Sequence, residues 1–263
     1  MDATRARAAS DLLVRHWTEG TVLDALPAPL RPVTRAEGYA IQAQLERLST
    51  RPLRGWKIAA TSTAGQRHIG VDGPLAGRLL EEMVRLDGAT LPFGANRMRV
   101  AEAEFAFRMG RDLSPRATAY EVDEVLGAVA ALHTAIEVPD SRFSDFVTAG
   151  AAQLIADNAC AHRFVLGPEA PAHWRAMDLA AHRVTGRVVG RFEREGLGAN
   201  VLGDPRVALT WLANELSRHG VTLAAGQVVT TGTCVVPLEV VPGDAVVAEF
   251  GELGRVSMRF AAS

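Results

Sequence analysis

The sequence predicts an α+β fold: a mixed β-roll or sandwich with flanking helices and a small helical segment in front of it. Three observations carry this. From residue 227 to the end, strand signals follow one another at short intervals, separated by polar turns such as Pro242-Gly-Asp. Residues 1–52 read helical and hold no cluster of reactive side chains, whereas residues 53–263 contain all the candidate chemistry. Between these, residues 100–109 (Val-Ala-Glu-Ala-Glu-Phe-Ala-Phe-Arg-Met) alternate with the two-residue period of a strand. The division expected is therefore a helical N-terminal cover over 1–52 and a catalytic β-roll domain over 53–263.

The elements follow in order. Leu12, Leu13 and Trp17 fall on one side of an opening helix that Gly20 can stop. The prolines of residues 26–32 form an extended connector. A capping box, Thr34-Arg-Ala-Glu37, opens a second helix with Tyr39, Ile41, Leu45 and Leu48 as its apolar stripe. Residues 55–60 (Gly-Trp-Lys-Ile-Ala-Ala) make a short apolar strand interrupted by one cation, Lys57, which either snorkels to solvent or is buried beside carboxylates or substrate. Residues 61–65 read as a polar turn, and residues 70–77 as a breaker-rich loop carrying Asp72.

After the 100–109 strand, a second capping box, Thr118-Ala-Tyr-Glu121, predicts a helix with Val122, Val125, Leu126, Val129 and Leu132 at helical spacing. It runs into the segment holding Glu137. A short helix is expected within 142–161, a strand over 163–167 and another over 184–192, then a turn over 195–200. Gly196, Gly198 and Gly203 do not make a dinucleotide loop, because Val201 occupies the third glycine's slot. Asp204-Pro205 starts a helix with Leu209, Leu212 and Leu216 inward and Gly220 at its end. Strands are then expected over 227–231, 235–241, 245–250 and 255–260.

Composition narrows the function. With 48% hydrophobic and 22% charged residues in 263, the chain has an ordinary globular balance and can bury a large core. A net charge of −2 argues against a nucleic-acid binder. No window approaches ~18 consecutive apolar residues, and the N-terminus lacks the apolar region of a secretory signal. The two cysteines, Cys160 and Cys234, are far apart and suit a reducing, cytoplasmic setting, each as a small buried hydrophobe.

Glu102 and Glu104 share one face of their strand, with side-chain origins roughly 6–7 Å apart. Taken alone, this is a half-buried strand with a solvated outer face. Glu137 changes the balance: it lies between Ile136 and Val138, where no alternation explains an exposed charge. A glutamate among apolar neighbours either sits at a turn or needs a partner. If the two stretches pair, as sequential elements often do, one hard cation serves all three carboxylates. Three carboxylates without clustered His or Cys describe a site for Mg²⁺ or Mn²⁺. Such an ion keeps positions for a chelating 2-oxo acid and can stabilise an enolate, and Lys57 could move the proton.

Six stretches then occur in one order: Gly55-Trp-Lys-Ile, Gly70-Val-Asp-Gly-Pro-Leu-Ala-Gly, Glu102-Ala-Glu-Phe-Ala-Phe with Gly110-Arg-Asp-Leu, Ala135-Ile-Glu-Val-Pro-Asp-Ser-Arg, Asp157-Asn-Ala, and Thr231-Gly-Thr with Pro242-Gly-Asp. Together they resemble the fumarylacetoacetate hydrolase superfamily, in the branch of 2-keto-4-pentenoate hydratases and 4-oxalocrotonate decarboxylases. The resemblance implies a β-roll holding Mg²⁺ or Mn²⁺ on Glu102, Glu104 and Glu137, with Lys57 as the proton-handling group and Asp72 as a helper. It implies that Asp157 and Thr233 shape the substrate pocket or its support. A 2-hydroxy-alka-2,4-dienoate would be hydrated to a 4-hydroxy-2-oxo acid in aromatic meta-cleavage catabolism. The alternatives are decarboxylation of a 4-oxalocrotonate-type diacid, C–C hydrolysis of an acylpyruvate, or a non-catalytic partner subunit. The partners implied are a small-molecule acid and further copies of the chain, with a pathway decarboxylase or aldolase as a candidate associate. Cys160 and Ala161 depart from the serines frequent after the Asp-Asn-Ala element, and Thr233-Cys-Val-Val departs from a small polar run.

Overall fold

The computed structural model describes residues 1–262. Helix α1 (Ala3–Glu19) is capped by Asp2, whose side chain accepts the Arg5 N–H, and ends at Gly20 in the left-handed region at φ +66°. Helix α2 (Arg35–Gln42) is capped by Thr34, which accepts the Glu37 N–H at 3.2 Å. The Glu37 carboxylate reaches back one residue further than a capping box requires, to the Val33 N–H at 2.8 Å. Beyond Gln42 the backbone tightens into a 3₁₀ turn, so the expected apolar stripe ends at buried Leu45 and Leu48 is exposed.

Strand β1 (Gly55–Ala59) is followed by α3 (Thr63–His68) where a polar turn was expected; Ser62 accepts the Gly65 N–H at 3.0 Å and so starts a helix. The 70–77 loop ends early, because its apolar Leu75 and Ala76 are drawn into β2 (Leu75–Leu79) against β1. Short strands β3 (Val84–Leu86) and β4 (Ala89–Leu91) precede β5 (Val100–Met109). Helix α4 (Val122–Leu126) is only a turn and a half, and Val129 and Leu132 belong instead to β6 (Val129–Val138). Cross-strand pairing with β5 outweighs the helical period there.

Helix α5 (Ala151–Ala156) and β7 (Arg163–Glu169) follow. The single strand expected over 184–192 is a hairpin of β8 (Arg183–Val188) and β9 (Phe192–Leu197). Helix α6 (Pro205–Arg218) starts where expected, with Asp204 accepting the Arg206 N–H. The tail supplies β10 (Val228–Thr233), β11 (Leu238–Glu239), β12 (Ala245–Glu249) and β13 (Arg255–Phe260). Strand β11 is shorter than the 235–241 expected, and Pro237, which offers no N–H to a ladder, stands immediately before it.

The larger sheet runs β2-β1-β10-β5-β6-β7-β3, with β11 also paired to β5; the smaller runs β4-β13-β12-β8-β9. The two pack face to face around one core in which Phe105 meets Phe250 edge-on at 5.0 Å and Phe93 meets Phe260 at 5.1 Å. This is the mixed β-roll and sandwich that the patterning predicts. The other face of the larger sheet carries Lys57, Glu102, Glu104 and Glu137. At its β2 edge, α2 and α5 pack on the sheet, and Gln42 of α2 donates to the carbonyls of Ala76 (2.7 Å) and Ile155 (2.9 Å). Helix α1 lies over them through Ala6, Ala9 and Leu13, in a cluster with Ile41, Phe143 and Ala156. Among the described residues no helix is long and apolar enough to cross a membrane.

Candidate active site

Strands β5 and β6 are antiparallel neighbours in a register that sets Glu102 directly opposite Glu137 and Glu104 opposite Ala135. Directly opposed residues point to the same face, so all three carboxylates emerge together. One oxygen from each lies within 4.8 Å of the other two. Glu104 and Glu137 are fully buried and Glu102 half-buried, so the cluster opens on the Glu102 side.

Lys57 enters from β1, two strands away from β5, and is 2% exposed. Its Nζ lies 3.1 Å from Glu137 Oε1 and donates to the Ala159 carbonyl at 3.0 Å. The lysine is therefore buried beside the carboxylates rather than snorkelling. Room for its stem comes from Gly77, opposite it on β2: a Cβ there would stand 2.4 Å from the Asn158 carbonyl oxygen and 2.9 Å from Lys57 Cγ. The Ala159 carbonyl is aimed by an unusual turn, Asn158–Cys160, in which three consecutive non-glycine residues have φ of 57°, 49° and 62°. Asn158 secures that turn by pairing its amide with the Arg78 backbone, accepting at 2.6 Å and donating at 2.8 Å.

Two groups not singled out in the sequence hold Glu104. The Thr230 hydroxyl and the Gly232 N–H (2.8 Å) both donate to Glu104 Oε2. The β10–β5 register slips between Thr230 and Thr233, and Gly232, at φ +106°, turns its N–H out of the ladder toward the carboxylate. A Cβ there would also fall 1.9 Å from Thr61 Oγ1. The Thr-Thr-Gly-Thr run hints at such a bulge, but its aim depends on the partner strand.

Asp157 is not brought to the cluster as an open contact, whereas Thr233 stands directly opposite Glu104 in the β10–β5 register. Asp157 is buried and spent on Ser141 (2.7 Å), the Arg142 N–H (3.0 Å) and the Arg142 guanidinium, so it anchors the turn that follows it. Thr233 donates to the Val235 carbonyl at 2.7 Å. Asp72 lies apart on the surface, its side chain 87% exposed and paired with Arg35 at 2.9 Å. Cys160 and Cys234 are buried free thiols, and burial pushes Cys160 up to about 12.

The electrostatics are those of three clustered carboxylates facing a single ammonium. Burial and then Glu137 push Glu102 up to about 7. Burial, then Glu137 and Glu102, hold Glu104 well above the usual carboxylate range, and burial raises Glu137 against the pull of Lys57. Burial pulls the Lys57 ammonium down, yet Glu137, Glu102 and Glu104 outweigh it and raise it above its ordinary value. Among the described residues, Glu104 Oε1 and Glu137 Oε2 are buried without a hydrogen-bond donor, and Glu137 Oε1 has only the Lys57 ammonium, 3.1 Å away. Buried oxygens short of donors are costly unless a cation meets them. A donor set of carboxylates alone fits a hard divalent ion such as Mg²⁺.

Comparisons with known proteins give the family of the chain. A family profile, the fumarylacetoacetate (FAA) hydrolase C-terminal domain, matches residues 82–261. The chain is 36% identical over 225 residues to the 2-keto-4-pentenoate hydratase of Burkholderia vietnamiensis, covering 84% of each. It is 34% identical over 227 residues to that of Paraburkholderia xenovorans, covering 85% of this chain and 83% of the relative. Its backbone matches 4-oxalocrotonate decarboxylase from Pseudomonas putida G7, a structure complexed with magnesium and adipate, with a TM-score of 0.89 over 99% of this chain and 98% of that one, at 26% identity. The β-roll, the matched span and these relatives together mean that the chain belongs to the fumarylacetoacetate hydrolase family.

Proposed function

We propose that the protein is a divalent-metal-dependent hydratase, a hydro-lyase converting 2-hydroxy-alka-2,4-dienoates of the 2-hydroxypenta-2,4-dienoate type to 4-hydroxy-2-oxo acids in aromatic meta-cleavage catabolism. The observation that carries it is a cluster of three converging glutamates, two of them with buried oxygens short of donors, held against a buried lysine in a chain 34% and 36% identical to two 2-keto-4-pentenoate hydratases.

Glu102, Glu104 and Glu137 would hold Mg²⁺ or Mn²⁺, which when bound supplies Lewis-acid polarisation of a 2-oxo acid. Thr230 and Gly232 take up one oxygen of Glu104 and so leave its other oxygen free. Ketonisation of the dienol and addition of water at the conjugated carbon each move a proton. Lys57 is the group equipped to carry it, because two of its three N–H bonds are directed by Ala159 and Glu137 and the third is left for substrate. The carboxylates are what raise its pKa; once their charge is neutralised, burial is left to lower it toward a working range. Asp157 supports the turn behind Lys57 and Thr233 closes the β10 bulge, while Asp72, on the surface, is given no step. We place the enzyme in the cytoplasm as a homo-oligomer; light scattering on the purified protein tests the latter.

A screen of 2-hydroxy-dienoates, followed by loss of their ultraviolet absorbance with and without EDTA, tests the reading. Metal-dependent hydration of 2-hydroxypenta-2,4-dienoate is expected. Release of CO₂ from 4-oxalocrotonate without hydration would move the assignment to the decarboxylase, the reaction named for the structural neighbour.

A further inference from the structure

A second cavity, of about 420 Å³, lies between the C-terminal end of α1, the 92–97 loop and the segment after β6, and its lining contains none of the three glutamates or Lys57. Its wall is cationic, with Arg97, Arg142 and Arg163 beside His162, against Glu19 and Asp140. Asp140 is already engaged, since one of its oxygens accepts the backbone N–H of Arg97 at 2.8 Å and of Met98 at 3.4 Å.

The guanidiniums are short of acceptors. Arg142 is 4% exposed and spends Nε and Nη2 on Asp157, but its buried Nη1 has no hydrogen-bond partner among the described residues. The buried Nε of Arg163 has none either. Among the described residues no carboxylate offsets Arg163: burial and then Arg85 push its pKa down. Burial, then Arg142 and Arg163, push His162 down to about 3, so it stands at neutral pH as an uncharged imidazole that can donate one N–H. Trp17 closes one side, with the Arg142 guanidinium 5.4 Å from its ring centre and His162 edge-on at 6.0 Å.

Buried N–H groups without acceptors are costly, and guanidiniums pair with carboxylate or phosphate through parallel N–H bonds. A cavity of this volume is in the range that holds small ligands. We propose that it binds a small oxyanion, a dicarboxylate or a phosphate, between Arg163, Arg142 and Arg97. The site stands independently of the reaction proposed above.

Calorimetric titration of the full-length protein, treated with EDTA and dialysed, with inorganic phosphate and separately with succinate tests this. Saturable binding of at least one anion is expected, and whichever binds assigns the class. Affinity should fall at least ~10-fold in Arg163→Gln and by roughly 3-fold in Arg97→Gln, which lies on an exposed loop and leaves the core untouched. Glu104→Gln should bind as the wild type does, which separates this site from the glutamate cluster. Absence of saturation by either anion below about 10 mM overturns the proposal. So does unchanged affinity in both arginine variants, or loss of binding in Glu104→Gln alone.

Discussion

Glu104 shows how a single residue can be costly to the fold and necessary to the chemistry. It is buried among like charges, and its own hydrogen bonds satisfy one oxygen only. Glu104→Gln should therefore raise the melting temperature of the metal-free protein by roughly 2–4 °C, the equivalent of about 1 kcal/mol in a chain of this size. The same change should lower turnover at least ~10²-fold and abolish the stabilisation that Mg²⁺ gives the wild type. Calorimetric scans with and without Mg²⁺, beside a hydration assay, check both halves.

Glu102 gives a pH dependence. Its folded pKa of about 7 lies above the ordinary carboxylate value, so the folded protein binds the proton more tightly than the unfolded chain does. That contribution is full below pH ~4.5 and is lost as pH rises through about 7. Metal-free wild type should thus become less stable relative to Glu102→Gln between pH 5 and 8, and saturating Mg²⁺ should remove the trend. A difference that stays flat across this range contradicts the burial of that charge. Binding of Mg²⁺ at pH 6 should also release protons, read as a buffer-dependent heat.

At the scale of elements, β5 and β6 were legible to different degrees. Alternation in 100–109 shows that Glu102 and Glu104 share a face, because the side-chain period of a strand is a local property. Val129 and Leu132 also fit a helical spacing, and only pairing against β5 decides for the strand that puts Glu137 opposite Glu102. Other features were not decided locally: the aim of the bulge at Gly232 and the left-handed turn at 158–160 depend on which backbone lies alongside. The contact between β1 and β2 makes a prediction of its own. Gly77→Ala should push Lys57 and Asn158 apart, lowering kcat by ~10²-fold while Mg²⁺ affinity changes little, since the atoms an added Cβ would meet first belong to Asn158 and Lys57 and not to the three carboxylates. Single-turnover kinetics beside a Mg²⁺ titration separates the two effects; equal loss of both would mean that the whole site had shifted.

Across the whole molecule, the N-terminal helices close over the β2 edge beside which Lys57 is held. Gln42 is the buried rivet: it donates to the Ala76 and Ile155 carbonyls and accepts from Arg78. Gln42→Leu leaves those groups unmatched and should cost about 2–4 kcal/mol. Because the same groups join α2, α5 and β2, unfolding should remain a single transition by both circular dichroism and tryptophan fluorescence. An early separate transition of residues 1–52 would show that the cover is an independent unit.

Composition, strand and helix periods and the capping residues are properties of neighbouring positions in the chain. The α+β class, the starts of α2 and α6 and the candidate set Lys57, Glu102, Glu104 and Glu137 were therefore open to reading from the amino acids alone. Convergence was not, because the opposed register of β5 and β6, the slip in β10 and the turn behind Lys57 arise between segments far apart in sequence. The same reason parts Asp72 from Lys57: a loop aspartate reads alike whether it faces a cleft or solvent, and only the packed chain pairs it with Arg35 on the surface.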